Sequence, residues 1–392
     1  MKEWKEYKLG EVTIPVRDRI ETSCLDISSY ISTENMLPNK VGVTLSSGIP
    51  AGNAIKFEKG DVLISNIRPY FKKIWRADKV GGCSADVICL RASNEVDPLF
   101  LYYLLSQDLF FDYVMQGAKG TKMPRGDKSQ IMQWPISIPS ITLQKKIASI
   151  LYSLDDKIEI NKQINNNLEQ QAQALFKSWF VDFAPFKDGK FVESELGLIP
   201  EGWRVCTLGE ACKCELGGTP SRAIKSYWGG NIAWINSGEV NKFRICEASE
   251  FITDEGLNHS ATKLLPSKTT VLAITGATLG QVSLLEIDSC ANQSVVGVKE
   301  NETIPYTYIY PAIKYNINKL VNMQTGGAQQ HINKENIQSL QLIEPPKNIM
   351  EEYKLLTLPL YEEIGKLCFE NLRLATLRDT LLPKLMSGQI KL

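Results

Sequence analysis

One frame is written twice along this chain. Trp4, Leu9, Gly10 and Glu11 return with identical spacing as Trp203, Leu208, Gly209 and Glu210, an offset of 199 residues. Toward the other end of each half, Ile131, Leu154, Leu168 and Leu175 align with Ile337, Leu360, Leu374 and Leu381, an offset of 206, so the second copy carries a net seven extra residues. Asp61-Val62-Leu63-Ile64 and Thr270-Val271-Leu272-Ala273 read as one shared strand, whereas Ile20 to Lys56 has no convincing counterpart in Leu216 to Ser267. A solenoid needs three or more stacked units to bury a continuous core. Two copies therefore predict a tandem pseudo-dimer in which a fixed frame holds two different inserts.

Length sets the prior at two to three domains. No apolar run approaches the ~18 residues of a membrane span, and Met1-Lys2-Glu3-Trp4 lacks the apolar stretch of a signal peptide, so a cytoplasmic protein with no membrane contact is expected. The nine cysteines include no C-x-x-C pair and the two histidines, His259 and His331, sit in no metal-binding frame. Reduced structural thiols and no metal are the expectation. The formal net charge is zero, which argues against indiscriminate coating of nucleic acid but leaves local basic patches open.

Leu143 to Phe180 contains no Pro or Gly and carries a heptad, with Ile147, Leu154, Asn161, Leu168 and Leu175 at one seam position and Leu151, Ile158, Asn165, Ala172 and Trp179 at the other. The second copy gives Tyr353, Leu360, Leu367, Leu374 and Leu381, then Thr357, Ile364, Asn371, Arg378 and Leu385. These are two long helices, the second predicted to start at Pro359. Mutual pairing is favoured over two separate surface helices, because a marginal seam needs a partner. The buried-seam asparagines weaken such a pair and fix its register. Ahead of each helix, short apolar strands (Asp86 to Leu90, Ser294 to Val298) alternate with helical stretches (Leu99 to Phe111, Tyr306 to Lys319). Phe183 to Pro200 reads as a linker. The expected organisation is an α/β domain over 1–140, a helix and linker over 141–200, a second domain over 201–346 and a helix over 347–392.

No catalytic constellation is present: there is no Walker A loop, dinucleotide fingerprint, nucleophile elbow or Asn/Asp-Pro-Pro-aromatic string. Thr275-Gly276-Ala277-Thr278-Leu279-Gly280 reads as a strand-turn with tight packing. Asp182 with Asp188-Gly189-Lys190 is the best nuclease-like set, conceivable as a Mg²⁺ site but more simply a solvated turn. Basic and amide-rich loops carry more information. Arg68, Lys72, Lys73 and Arg76 interleave with Tyr70, Phe71 and Trp75, which suits phosphate contacts with aromatic support and equally an amphipathic strand pair with snorkelling lysines. Gly117 to Lys128 offers Lys119, Thr121, Lys122 and Arg125, a set that favours guanine. Its counterpart offers Gln329, Gln330, His331 and Lys334, where glutamine suits adenine. Thr219, Ser221 and Arg222 follow Gly217-Gly218 as a third candidate, or as a plain turn. Trp179, Phe180, Phe183, Leu382 and Leu385 exceed what a two-helix seam requires. They point either to a partner surface or to packing onto the globular domains.

Leu168 to Phe183 (LEQQAQALFKSWFVDF), Leu198-Ile199-Pro200-Glu201-Gly202-Trp203 and Leu377 to Gly388 (LRDTLLPKLMSG), with the Gly217-Gly218-Thr219-Pro220-Ser221 loop and the Trp-x-x-x-x-Leu-Gly-Glu starts, resemble the specificity subunit of type I restriction-modification systems. The resemblance spans essentially the whole chain. It implies two pseudo-symmetric α/β target-recognition domains joined by two long antiparallel coiled-coil helices, an α+β architecture. It further implies a non-catalytic subunit whose domains each read one part of a split site in double-stranded DNA, and whose helices space them and dock methyltransferase subunits, two per chain, with restriction/translocase subunits joining the complex. S-adenosylmethionine, ATP and Mg would belong to those partners, with no cofactor in this chain. The rival readings are a self-contained Mg-dependent nuclease and a coiled-coil interaction protein with no DNA role.

Overall fold

The computed structural model describes residues 4–120, 122–322 and 331–392. It divides into two compact units: Met1–Ile158 with Arg373–Leu392, and Glu159–Leu372. This partition differs from the four-segment organisation expected from sequence, because each long helix gives one part to each unit.

The duplicated Leu-Gly-Glu string builds the same start twice. Each forms a one-turn helix, Leu9–Val12 and Leu208–Ala211, whose third residue caps its own N-terminus: Lys8 N–H donates to Glu11 Oε2 at 2.7 Å and Thr207 N–H to Glu210 Oε2 at 2.8 Å. Leu9 and Leu208 are fully buried, and their N–H groups donate to Trp134 O and Leu340 O. Gly10 and Gly209 lie so close to Met132 and Gln338 that a Cβ would sit 3.2 and 2.9 Å from the neighbouring Cβ atoms. The strand ahead of each turn pairs antiparallel with the strand ahead of each long helix, Lys5–Lys8 with Pro135–Ile138 and Arg204–Thr207 with Gln341–Glu344.

Each unit then holds an antiparallel four-stranded sheet of one topology. The order is Thr13–Pro15, Val87–Ala92, Val62–Ser65, Ile74–Arg76 in the first unit, and Lys213–Leu216, Val295–Lys299, Thr270–Ala273, Val282–Leu284 in the second. The central strands are apolar on both faces because both faces are covered. Side chains alternate between faces along a strand, so Val62 and Ile64 join a core with Phe100, Leu101 and Leu151, while Leu63 joins Phe57, Val87 and Cys89 on the other side. Leu272 and Val271 divide in the same way. The second layer is where the copies diverge. The first unit has a four-stranded sheet (Arg19–Glu21, Asn53–Phe57, Gly81–Cys83, Tyr30–Ile31), and the second a three-stranded one (Glu250–Ile252, Trp228–Ile235, Cys290–Ala291).

The long helices run Ile141–Phe180 and Lys347–Met386. Within the first unit Arg378 Nη1 donates to Asp155 Oδ1 at 2.6 Å. Within the second, Asn161 Nδ2 donates to Asn371 Oδ1 at 2.9 Å and to Glu370 Oε2 at 2.7 Å, and Asn165 Nδ2 to Cys368 Sγ at 3.4 Å. Rising numbers on one helix meet falling numbers on the other, so the pairing is antiparallel, and every seam position named above is buried or half-buried. These asparagine donors bond across the seam, although Oδ1 of Asn161 and of Asn165 is buried without a hydrogen-bond donor, and the cross-seam bonds tie the register to one alignment.

Three expectations need correction. The second helix starts at Lys347, and Pro359 lies in its interior. Proline there deprives the Leu355 carbonyl of its helical donor, which is tolerable because Pro359 and Leu355 are exposed to water. Phe183 to Pro200 is no open linker: Phe191–Ser194 and Gly197–Pro200 form a hairpin, with Gly197 left-handed at φ 93°. Phe183 and Phe186 pack on Trp203 at ring-centroid distances of 5.7 and 4.9 Å. The apolar helix-end residues also turn inward. Leu382 and Leu385 belong to the first unit's core, Trp179 and Phe180 to the second's, and half-buried Phe183 packs against the latter. Their excess over the seam welds the helix ends to the globular cores, the second of the two uses expected for them.

Candidate DNA-reading loops

In both units two loops distant in sequence are tied together at one end of the large sheet's central strands. In the first, Ile67 bridges Arg125, Gly126 N–H donates to Asn66 O at 3.2 Å and Asn66 N–H donates to Asp86 O at 2.9 Å. In the second, Thr275 bridges His331, Ile332 N–H donates to Ile274 O at 3.1 Å and Ile274 N–H donates to Ser294 O at 2.9 Å. The same three links thus recur at equivalent positions, and the two basic or amide-rich segments expected to read DNA emerge from equivalent places.

The first unit's turn is the 3₁₀ segment Pro69–Phe71, and the second's is Gly276–Thr278. Arg68 and Lys72 flank the former in the left-handed region, at φ 50° and 51°, where the latter has Gly276 and Gly280 at 64° and 82°. Glycine adopts that conformation freely, whereas a residue with a Cβ is disfavoured by about 1–2 kcal/mol. The first copy therefore keeps two cations where the backbone prefers glycine. The equal spacing of Arg68–Lys72 and Gly276–Gly280 was a sequence signal for this equivalence; reading the glycine turn as packing alone missed it.

The basic candidates fare differently. Lys122 is exposed, Lys119 pairs with Asp127 at 2.9 Å while 82% exposed, and Arg125 reaches Asp86 at 3.4 Å while 56% exposed. These three share the loop joined to Arg68, whose N–H donates to Pro124 O at 2.8 Å. Lys72 pairs with Asp108 at 3.0 Å. Lys73 is partly engaged within the fold: its Nζ donates to Thr33 O at 2.6 Å, and burial, with Arg68 nearby, lowers its pKa. Nor is the Arg68–Arg76 segment a strand pair, since only Ile74–Arg76 is extended. Thr121, Gln329 and Gln330 lie outside the described residues.

In the second unit Gly217 and Gly218 are required by close backbone approach. A Cβ at Gly217 would meet Asn292 O at 2.2 Å, and one at Gly218 would meet Thr262 N at 2.6 Å. The loop exposes Thr219 and Ser221, and Arg222 lies over the Trp228 ring at 3.7 Å with Nη2 2.6 Å from Glu250 Oε2. Arg222 is therefore pre-positioned as a planar donor instead of sweeping freely. Gly218 N–H donates to Ala291 O, so this loop adjoins the segment carrying Ser294, and Ser294 is joined to Ile274. His331 is exposed and Lys334 half-buried behind the Asn333 cap. Among the described residues the first set of loops thus presents cations, and the second presents hydroxyls, the exposed His331, the half-buried Lys334 and one clamped guanidinium.

The nuclease-like set gains no support. Both Asp182 carboxylate oxygens accept from Lys177 Nζ, at 2.8 and 2.6 Å, and among the described residues no group of three or more His, Cys, Asp or Glu side chains could hold a metal ion. Among them too, no helix is long and apolar enough to cross a membrane.

A family model described as the type I restriction modification DNA specificity domain matches residues 1–170 and 200–353. The type I restriction enzyme HindI specificity subunit of Haemophilus influenzae is 27% identical over the whole of both chains. The MjaIX specificity subunit of Methanocaldococcus jannaschii is 30% identical over 74% of this chain and 69% of its own length. A crystal structure of the S subunit of a type I restriction-modification system from M. genitalium shares the fold, with a TM-score of 0.58, 17% identity and coverage of 98% of this chain and 96% of that one. The family match falls on both copies of the frame, and the chain belongs to the type I restriction modification DNA specificity family, as a specificity subunit.

Proposed function

We propose that this chain is the non-catalytic DNA-reading subunit of its complex, acting in the cytoplasm, and that each unit reads one half of an asymmetric bipartite site in duplex DNA through its paired loops. The observation that carries this reading is the equivalence of the two loop pairs, Ile67 with Arg125 and Thr275 with His331, on frames whose loop chemistry differs. A pseudo-symmetric protein can lay equivalent elements on the near two-fold backbone of DNA while unequal side chains read unequal bases. Arginine and lysine in the first loop pair favour guanine edges; amides in the second favour adenine.

The helices set the gap between the half-sites and dock two methyltransferase subunits per chain. Their exposed apolar residues supply surface for that docking: Tyr152 and Leu377 in one unit, Ile160, Ile164, Leu355 and Leu356 in the other. S-adenosylmethionine, ATP and Mg belong to the methyltransferase and restriction/translocase partners. Mapping methylated positions across the host genome with the gene present and deleted tests the proposal. Loss of one bipartite motif is the expected result; an unchanged methylome, or loss of a contiguous motif, overturns it.

A further inference from the structure

Among the described residues only six non-glycine positions have positive φ, and four of them, Asn39, Lys40, Arg68 and Lys72, meet at one place in the first unit. Asn39 N–H donates to Phe71 O at 2.8 Å and Lys40 N–H to Lys72 O at 3.0 Å, so the two left-handed pairs are laced together. Lys40 and Lys72 share one carboxylate, Asp108, at 2.8 and 3.0 Å, and Lys73 lies 5.7 Å from the Phe71 ring centroid. This strained, braced frame displays an aromatic pair. Tyr70 and Phe71 have ring centroids 4.6 Å apart and are 46% and 36% exposed, although their backbone turn is pinned on both sides. Strain of this kind persists only where the surroundings over-determine it, and it gathers at sites of function. The equivalent turn in the second unit carries Ala277, Thr278 and Leu279 between two glycines and shows no aromatic side chain.

We infer that the Tyr70–Phe71 turn is a wedge that enters a base step of the half-site read by the first unit and unstacks it. Apolar side chains that enter base steps kink the duplex, and base faces stack on aromatic rings regardless of sequence. The chemistry of the frame suits that use. With two lysines sharing a single aspartate, and Arg68 beside them, the surroundings of the rings carry net positive charge toward the flanking phosphates. The brace from Asn39 and Lys40 supplies the rigidity needed for a small turn to press on stacked bases. Because the second unit's turn lacks rings, the distortion is confined to one half-site.

The inference rests on the DNA-reading role proposed above, and the test separates the two. The full chain with its methyltransferase subunits is bound to duplexes carrying the mapped site, with 2-aminopurine placed in turn through both half-sites and the methylated bases left unlabelled. Specific binding with a fluorescence rise at one step of one half-site, lost in a Tyr70→Ala/Phe71→Ala variant and retained in Phe71→Leu, is expected. Both residues are exposed, so the alanine variant keeps the fold, as its unchanged melting temperature will report. Specific binding with no rise at any step overturns the wedge alone, as does a rise that survives the double alanine variant. A variant that loses only co-purification of the methyltransferase would overturn it too, making the rings a protein contact. Failure of the wild-type complex to prefer the mapped site would instead overturn the reading role itself.

Discussion

Arg244 Nη2 lies 2.7 Å from Glu169 Oε2 with side-chain exposures of 0% and 7%, which makes this a buried ion pair linking a loop of the second unit to the long helix Ile141–Phe180. Lys314 reaches the other carboxylate oxygen at 2.9 Å, and Glu286 Oε1 stands 3.6 Å from Arg244 Nε. Removing one member of such a pair strands the others without water. Arg244→Ala is expected to destabilise the protein by about 3–5 kcal/mol, whereas Lys122→Ala, on an exposed loop, should stay within about 0.5 kcal/mol. Denaturant midpoints of the two variants check the contrast.

Acid should act through the same carboxylate. Burial opposes ionisation of Glu169, but the charges of Arg244 and Lys314 prevail and hold its pKa at about 2, below the ordinary value of 4.5. A depressed folded-state pKa stabilises above the unfolded value, and that stabilisation is lost as pH falls from about 4.5 toward about 2. Glu286 works the other way: burial raises its pKa despite Lys268, so its contribution is lost as pH rises above the unfolded value. Glu169→Gln should lower stability at neutral pH and flatten the fall in stability between about pH 5 and 3, measured by urea denaturation across that range.

The loops should separate by half-site. Alanine at Lys122 and Arg125 is expected to relax discrimination in one half by about 1–3 kcal/mol per lost bidentate contact. Alanine at Gln329 and Gln330, or at His331 and Lys334, should do so in the other. Competition binding against single-base variants of the mapped site tests this; a uniform loss for every sequence, with a shallower salt slope, would make these residues phosphate contacts instead.

Arg68 should trade stability for binding. At φ 50°, Arg68→Gly relieves the left-handed penalty of about 1–2 kcal/mol, offset by the greater freedom glycine gives the unfolded chain, about 0.5–1 kcal/mol. The variant should be as stable as the parent or up to about 1.5 kcal/mol more so, yet bind DNA more weakly. Paired melting and binding measurements decide it, and a destabilised variant would show that the Arg68 side chain serves the fold.

Matched heptads inserted between Ile160 and Asn161 and between Asn371 and Arg378 should keep both the Asp155–Arg378 and the Asn161–Asn371 pairs, which bracket the insertions. Seven residues add about 10.5 Å, close to three base pairs. Methylome mapping should return the same half-sites with a longer gap, by at most about three base pairs because the helices need not follow the DNA axis. An active variant with the original gap would remove the helices as the ruler.

Local pattern and repetition were enough to determine the frame. The heptad from Ile147 to Trp179 and its second copy gave two long helices, the Leu-Gly-Glu strings gave equivalent starts, and the shared apolar runs around Leu63 and Leu272 gave equivalent strands, because such patterns and capping act over a few residues. Only the tertiary structure decided where long-range partners fall. Pro359 continues a helix because the Leu355 carbonyl it leaves without a donor lies on a water-exposed face, Trp179 and Leu385 turn into the globular cores, and Lys73 donates to Thr33 O. The equal spacing of Arg68–Lys72 and Gly276–Gly280 hinted at their equivalence, but only the fold established it, because it lies in backbone torsion and in two loop pairings across dozens of residues.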